Sequence, residues 1–95
     1  MNDVIAEIRA DKKKHIKELK EKISDIHPDA LFADGHDDAI AGYDYNGRVI
    51  YFANEIIGTL MERDGMTDEE AVEFFDFNIA GAYVGEYTPI YMWEE

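Results

Sequence analysis

Hydrophobic positions in the first quarter of the chain recur at helical spacing. From Ile16 to Ile26 the apolar residues are separated by three, four and three positions, whereas residues 11–14 are all charged. Such spacing places side chains on one face of a helix, so the pattern predicts a long amphipathic helix over 1–26. Because the apolar face is interrupted at 11–14, the first ten residues either dock on the rest of the chain or protrude from it.

Two segments rich in β-forming residues, 39–45 and 48–52, flank the dipeptide Asn46-Gly47. Asn-Gly between such segments is the strongest short-range hairpin signal, because both positions of a two-residue turn take positive φ. The sequence therefore predicts an antiparallel hairpin closed by an Asn-Gly turn.

Two further helices and a last strand are predicted after the hairpin. Gly65 supplies a left-handed residue at the end of the first helix. Thr67 and Glu70 form a capping box at the start of the second. Residues 88–93 resemble a strand, and Pro89 places its start at a sheet edge or a strand beginning.

The resulting order α-β-β-α-α-β predicts a small α+β fold, with a three-stranded antiparallel sheet and helices packed on one face. Ninety-five residues are enough for one domain. We expect a single domain over 1–95, composed of the long helix over 1–26 and an acidic α+β body over 29–95.

Charge is the extreme property of the composition. The chain carries 9 Lys and Arg against 22 Asp and Glu, a net charge of −13, and only two of the basic residues lie beyond residue 26. A body this negative repels nucleic acid and complements a basic protein surface, toward which it is steered electrostatically. We therefore expect a protein partner with a basic surface, and no nucleic acid.

Several function classes are disfavoured by residue content. The absence of cysteine excludes disulfides and thiolate metal sites. There is no phosphate-binding loop, and Ser24 is the only serine, in the predicted first helix. Nothing selects a catalytic pair among the carboxylates, and we expect little cavity depth in so small a domain. The sequence predicts a protein that is not an enzyme and has no cofactor.

The compartment is predicted from hydropathy. No apolar segment approaches the roughly 18 residues of a membrane span, and the first residues are too charged for a signal peptide. We expect no membrane partner and a cytoplasmic location.

The loop over 34–38 is the one local candidate for a metal site. It offers an imidazole and three carboxylates beside a glycine, from Asp34, His36, Asp37 and Asp38, and transition metals accept this mixture of ligands. Aspartates are also favoured in polar loops, because they form local turn hydrogen bonds. We favour the plain loop and predict no metal, with a metal or nucleotide site here as an alternative.

Seven residues are candidates for partner contacts. Helical spacing places Glu69, Glu73 and Asp76 along one side of the last helix, next to Asp68. Phe77 lies off the predicted apolar face, so either the long helix covers it or it is exposed for a partner. Tyr43 and Tyr45 share one strand face by alternation, and tyrosines are favoured at interfaces.

From 29 to 90 the chain resembles a group of short acidic proteins, mostly encoded by bacteriophages, that have no assigned activity. The stretches that carry the resemblance are 29–35, 42–44, 46–49, 61–66, 73–86 and 88–90. The resemblance implies a phage or prophage origin, and with it a host-directed accessory role in the host cytoplasm. It does not include the long helix and brings no catalytic residues.

The leading hypothesis is a non-enzymatic, phage-type accessory protein that binds a host macromolecule through its acidic surface. Such a protein could inhibit, or mimic nucleic acid for, a host defence or nucleic-acid-handling protein. One alternative is a homo-oligomer that assembles through the N-terminal helix. The other is a small metal- or nucleotide-binding domain that uses the 34–38 loop.

Overall fold

Three α-helices and three short strands form a small α+β fold. The computed structural model describes the backbone of residues 2–95 and the side chains of residues 11–95. In chain order the elements are α1 (Asn2–Ile26), β1 (Ile40–Tyr43), β2 (Val49–Phe52), α2 (Ala53–Asp64), α3 (Asp68–Phe74) and β3 (Ile90–Met92). A 3-10 turn at Asp37–Ala39 precedes β1, and a π-helical segment at Phe75–Ala80 continues α3. The order of helices and strands is the predicted one.

The sheet is mixed, with β2 in its centre. β1 runs antiparallel to β2, with Tyr43 opposite Val49, whereas β3 runs parallel to β2, with Ile50 opposite Ile90. The prediction of a wholly antiparallel sheet is therefore wrong. Parallel neighbours require a long crossover, and α2 and α3 provide it by returning the chain to the end of the sheet where β2 begins.

The turn between β1 and β2 is larger than a two-residue Asn-Gly turn. Gly47 has a φ of 90°, but no non-glycine residue that the structure describes has a positive φ, so Asn46 does not take the expected conformation. The Asp44 carboxylate accepts hydrogen bonds from the amides of Asn46 and Arg48 at 3.0 and 2.8 Å. These bonds hold the five residues from Asp44 to Arg48 in one turn with a single left-handed glycine, and the predicted Asn-Gly turn is not confirmed.

The core lies between the sheet and the helices. Its largest fully buried side chains are Tyr51, Ile23, Ile56, Leu60 and Val49. They come from α1, α2 and the central strand, so burial of apolar area ties the long helix to the body.

The second half of α1 docks on the body. Ile16 and Ile23 are buried and Leu19 packs against the core. The Lys20 Nζ donates to Asp37 Oδ2 at 3.0 Å, which adds a polar contact to the same interface. We predicted that the first ten residues either dock on the body or protrude from it. Their side chains lie outside the part of the chain that the structure describes, so this prediction stays open.

Within the part of the chain that the structure describes, no helix has both the length and the apolar character that a membrane span requires.

Candidate partner-binding site

An open groove of about 850 Å³ lies along α3 and the π-helical segment. We call it the acidic groove. Five of the seven predicted contact residues line it: Asp68, Glu69, Glu73, Asp76 and Phe77. All five are exposed. The structure therefore brings the predicted acidic row together on one surface.

The start of α3 is fixed by its capping box. The amide of Glu70 donates to Thr67 Oγ1 at 3.2 Å, and the amide of Thr67 donates to Glu70 Oε1 at 3.1 Å. The hydrogen bond from the Thr67 amide also lowers the pKa of the Glu70 carboxyl. Asp68 and Glu69 lie in the first turn of α3, where acidic residues are favoured because that end of a helix is positively polarised. The carboxylates thus stand on a well-defined helix end.

The carboxylates of the acidic groove make no ion pair with a described basic side chain. The ion pairs between described residues are Lys12–Glu55, Lys20–Asp37 and Arg63–Asp64. None of them includes a carboxylate that lines the acidic groove. Unpaired charges on one exposed surface produce a local negative potential that attracts basic groups.

Phe77 is 76% exposed. Of the two predictions for this residue, cover by the long helix or exposure to solvent, the structure has the second. The neighbouring Phe75 occupies the core instead, with 3% exposure, and makes edge-on contacts with the rings of Tyr91 and Trp93. The helical segment changes to π geometry at Phe75, and such segments occur frequently at functional sites. Phe77 lies in this segment as an exposed apolar side chain among the carboxylates of the acidic groove.

The two candidate tyrosines lie elsewhere. Tyr45 is 96% exposed in the turn beyond the end of β1, so it does not share a strand face with Tyr43. Tyr43 is half-buried, and its ring meets that of His27 edge-on at 5.7 Å. Neither tyrosine lines the acidic groove. The five-residue turn explains the difference, because strand alternation ends before Tyr45.

A second concavity, which was not predicted from the sequence, lies beside the acidic groove. We call it the cleft. It has a volume of about 430 Å³. Its apolar lining includes Leu31, Phe74, Ile79, Val84, Pro89 and Tyr91. Its polar lining includes Asp34, His36, Arg63, Asp64 and Asn78. Because these residues are scattered between positions 31 and 91, no local motif could have predicted the cleft.

Arg63 joins two segments on the polar side of the cleft by hydrogen bonds. The Arg63 guanidinium donates to both carboxylate oxygens of Asp64, at 3.1 and 3.3 Å, and its Nη1 donates to the Gly35 carbonyl at 3.0 Å. Hydrogen bonding to Arg63 lowers the pKa of the Asp64 carboxyl. The guanidinium is therefore already engaged by groups of the protein itself.

His36 is the buried polar residue of the cleft, with 8% exposure. Its Nδ1 has no hydrogen-bond partner among the described residues. Burial, and then the positive charge of Arg63, lower the pKa of His36 below its usual 6.5, although the carboxylates of Asp64, Asp34 and Asp37 oppose this shift. At neutral pH His36 is thus an uncharged imidazole.

The 34–38 loop does not form a ligand cluster. Asp34 and His36 line the cleft, whereas Asp37 binds Lys20. Among the residues that the structure describes, no group of three or more His, Asp or Glu side chains is placed to hold a metal ion. The carboxylates of Asp34 and Asp64 at the cleft would also repel a nucleotide phosphate.

Comparisons of this chain with protein-family models, with curated proteins and with solved structures found no match.

Proposed function

We propose that this protein is a non-enzymatic accessory protein that binds a basic surface of a host macromolecule through the acidic groove. The observation that carries the proposal is the juxtaposition of Asp68, Glu69, Glu73 and Asp76 on one exposed surface. None of the ion pairs between described side chains includes them.

Charge and shape support a protein partner. Complementary charge accelerates association and selects the partner, whereas affinity requires a desolvated apolar contact. Phe77 supplies an exposed aromatic ring within the acidic row. A basic partner surface with an apolar recess for this ring matches both features.

The partner class that we favour is a host defence or nucleic-acid-handling protein, which the acidic groove would inhibit by occupying its nucleic-acid site. A row of carboxylates on a helix can take the place of backbone phosphates at such a site. The resemblance of residues 29–90 to phage-encoded acidic proteins favours the same class and a cytoplasmic location in the host.

The alternative of assembly through the N-terminal helix receives less support. Ile16 and Ile23 are already buried against the body, and Leu19 packs on the core. This part of the apolar face of α1 is therefore not available to a second copy.

The test uses charge reversal at the acidic groove. A variant with Glu69→Lys, Glu73→Lys and Asp76→Lys is compared with wild type in capturing proteins from a bacterial lysate at low and high salt. A matched control, with Glu18→Lys, Glu21→Lys and Asp25→Lys, makes the same change in net charge on exposed positions of α1.

We expect the wild type and the control to retain one captured partner, and the groove variant to lose it. Binding of that partner should weaken steeply as salt increases, and duplex DNA should compete with it. Equal loss in both variants, or capture that salt does not affect, would contradict the proposal.

A further inference from the structure

We propose that the cleft is the anchoring subsite of the acidic groove, and that it accepts one large apolar side chain of a partner segment whose neighbouring residues are Lys or Arg. This inference rests on the proposed function and names the chemistry of the segment that the protein would recognise.

The cleft and the acidic groove form one continuous surface. A depression lies between the cleft and the acidic groove. Phe74 and Asn78 line both the cleft and this depression, and Glu73 and Phe77 line the depression as well. Glu73 and Phe77 in turn line the acidic groove. A segment that leaves the cleft over Phe74 therefore passes directly onto the carboxylates.

Helix geometry sets the distance between anchor and charge. Glu70 lines the depression between the cleft and the acidic groove, and it lies four residues before Phe74 on α3, so their Cβ atoms are roughly 5–6 Å apart on the same face. An extended segment advances about 3.3 Å per residue. The first basic residue is therefore expected about two residues from the apolar anchor.

The lining of the cleft favours an apolar side chain. Its volume of about 430 Å³ lies within the range of small ligand pockets, and Leu31, Ile79 and Tyr91 contribute apolar walls. The buried Nδ1 of His36, which is unpartnered in the described residues, calls for a polar group beside the anchor, and the backbone of the segment supplies one. An apolar anchor packed against Leu31, Ile79 and Tyr91 would exclude water from these apolar walls.

The rim of the cleft favours positive neighbours. Arg63 is engaged by Asp64 and by the Gly35 carbonyl, so its charge is compensated within the protein. Asp34 remains without an ion pair among the described side chains. An anionic ligand would therefore be repelled, whereas an anchor flanked by Lys or Arg meets the Asp34 carboxylate at the cleft and the carboxylates of the acidic groove.

The probes are three short fluorescein-labelled synthetic peptides. The first has one Phe flanked by Lys and Arg, the second replaces that Phe by Ala, and the third keeps the Phe and replaces each Lys and Arg by Gln. Their dissociation constants are measured by fluorescence anisotropy on the full chain. The same titrations use Ala82→Trp, which adds an indole at a residue that lines the cleft, and the double variant Glu73→Gln with Asp76→Asn.

We expect the basic Phe peptide to bind wild type about tenfold or more tightly than the Ala peptide, because the anchor ring is buried. Ala82→Trp should remove this difference, whereas the double variant should weaken both basic peptides by the same factor. Circular dichroism checks that each variant is folded. In NMR titrations, the backbone amide signals of His36 and Asn78 should shift when a peptide that contains Phe is added, and should not shift with the Ala peptide.

The possible failures are distinguishable. If the basic Phe and Ala peptides bind equally and in a salt-dependent way, the anchoring inference is overturned and the proposed function stands. If the Gln peptide binds as tightly as the basic Phe peptide, the role of the acidic groove is overturned, and with it the requirement for basic neighbours. If amide shifts of His36 and Asn78 are the same with the Ala peptide, the cleft is not the anchoring subsite.

Discussion

The backbone amide of Ala33 donates a hydrogen bond to the phenolic oxygen of Tyr51 at 2.6 Å. Tyr51 lies in the central strand and is fully buried, whereas Ala33 belongs to the loop that lines the cleft. The bond therefore ties one wall of the cleft to the middle of the sheet, across 18 positions of sequence.

The substitution Tyr51→Phe should destabilise the fold by about 1–3 kcal/mol, because it leaves the Ala33 amide without its partner. Urea unfolding followed by circular dichroism measures the change. Tyr91→Phe is the control, since the ring of Tyr91 stacks on that of Tyr51 at 5.7 Å but its hydroxyl makes no hydrogen bond within the described residues. Equal stabilities of Tyr51→Phe and wild type would show that the bond contributes nothing.

Alkaline pH should weaken the same region. Burial raises the pKa of Tyr51 from 10.0 to about 12. Between these values the unfolded chain loses the phenolic proton while the folded chain keeps it, so the free energy of unfolding falls as pH rises through this window. Wild type should lose stability more steeply than Tyr51→Phe there, in unfolding titrations at several pH values. Parallel curves for the two proteins would contradict the shift.

Mildly acidic pH should also lower the stability of the protein, and this effect should come from His36. Its pKa is lowered below 6.5 by burial and by Arg63, so the unfolded chain binds the proton more readily. The contribution of neutral His36 to stability is therefore complete above pH 6.5 and is lost as pH falls toward the pKa of the folded state. His36→Leu should remove this loss, so its stability should change less than that of wild type between neutral and mildly acidic pH. A steeper acid loss in the variant would overturn the assignment.

The features that were predictable from the sequence are set by neighbouring residues. The capping box needs only Thr67 and Glu70, and Gly65 has its left-handed φ of 68° at the end of α2 as expected. Helical spacing was also sufficient to align Glu69, Glu73 and Asp76. The order of helices and strands followed from such local signals.

The features that were missed depend on distant residues or on competing local bonds. The direction of β3 is decided by where the α2–α3 crossover returns the chain, which no spacing along the sequence encodes. The conformation of Asn46 is decided by hydrogen bonds to the Asp44 carboxylate, which outweigh the usual preference of Asn-Gly. The cleft requires Leu31, His36 and Tyr91 to meet, and only the completed fold brings them together.

The same chemical change should have opposite effects at two glycines. Gly47 has a φ of 90°, and an added Cβ would lie 2.9 Å from Nδ1 of His27, just after α1. Gly47→Ala should therefore destabilise the protein by at least about 1–2 kcal/mol, since the left-handed conformation and the steric overlap both oppose the methyl group. In α2, a Cβ on Gly58 would meet nothing within 4 Å. Gly58→Ala should stabilise the protein by about 0.5–1 kcal/mol through helix propensity alone.

Thermal and urea unfolding of these two variants measure the turn and the helix separately. A Gly47→Ala variant as stable as wild type would mean that the turn relaxes away from His27, and that the left-handed residue is not needed to join β1 and β2. Gly58→Ala is the control for the unfolded chain. Any Gly→Ala substitution lowers the conformational entropy of the unfolded chain, and both variants share this contribution to the free energy of unfolding. The difference between the two variants therefore combines the left-handed conformation of Gly47, its overlap with His27 and the helix propensity gained at Gly58.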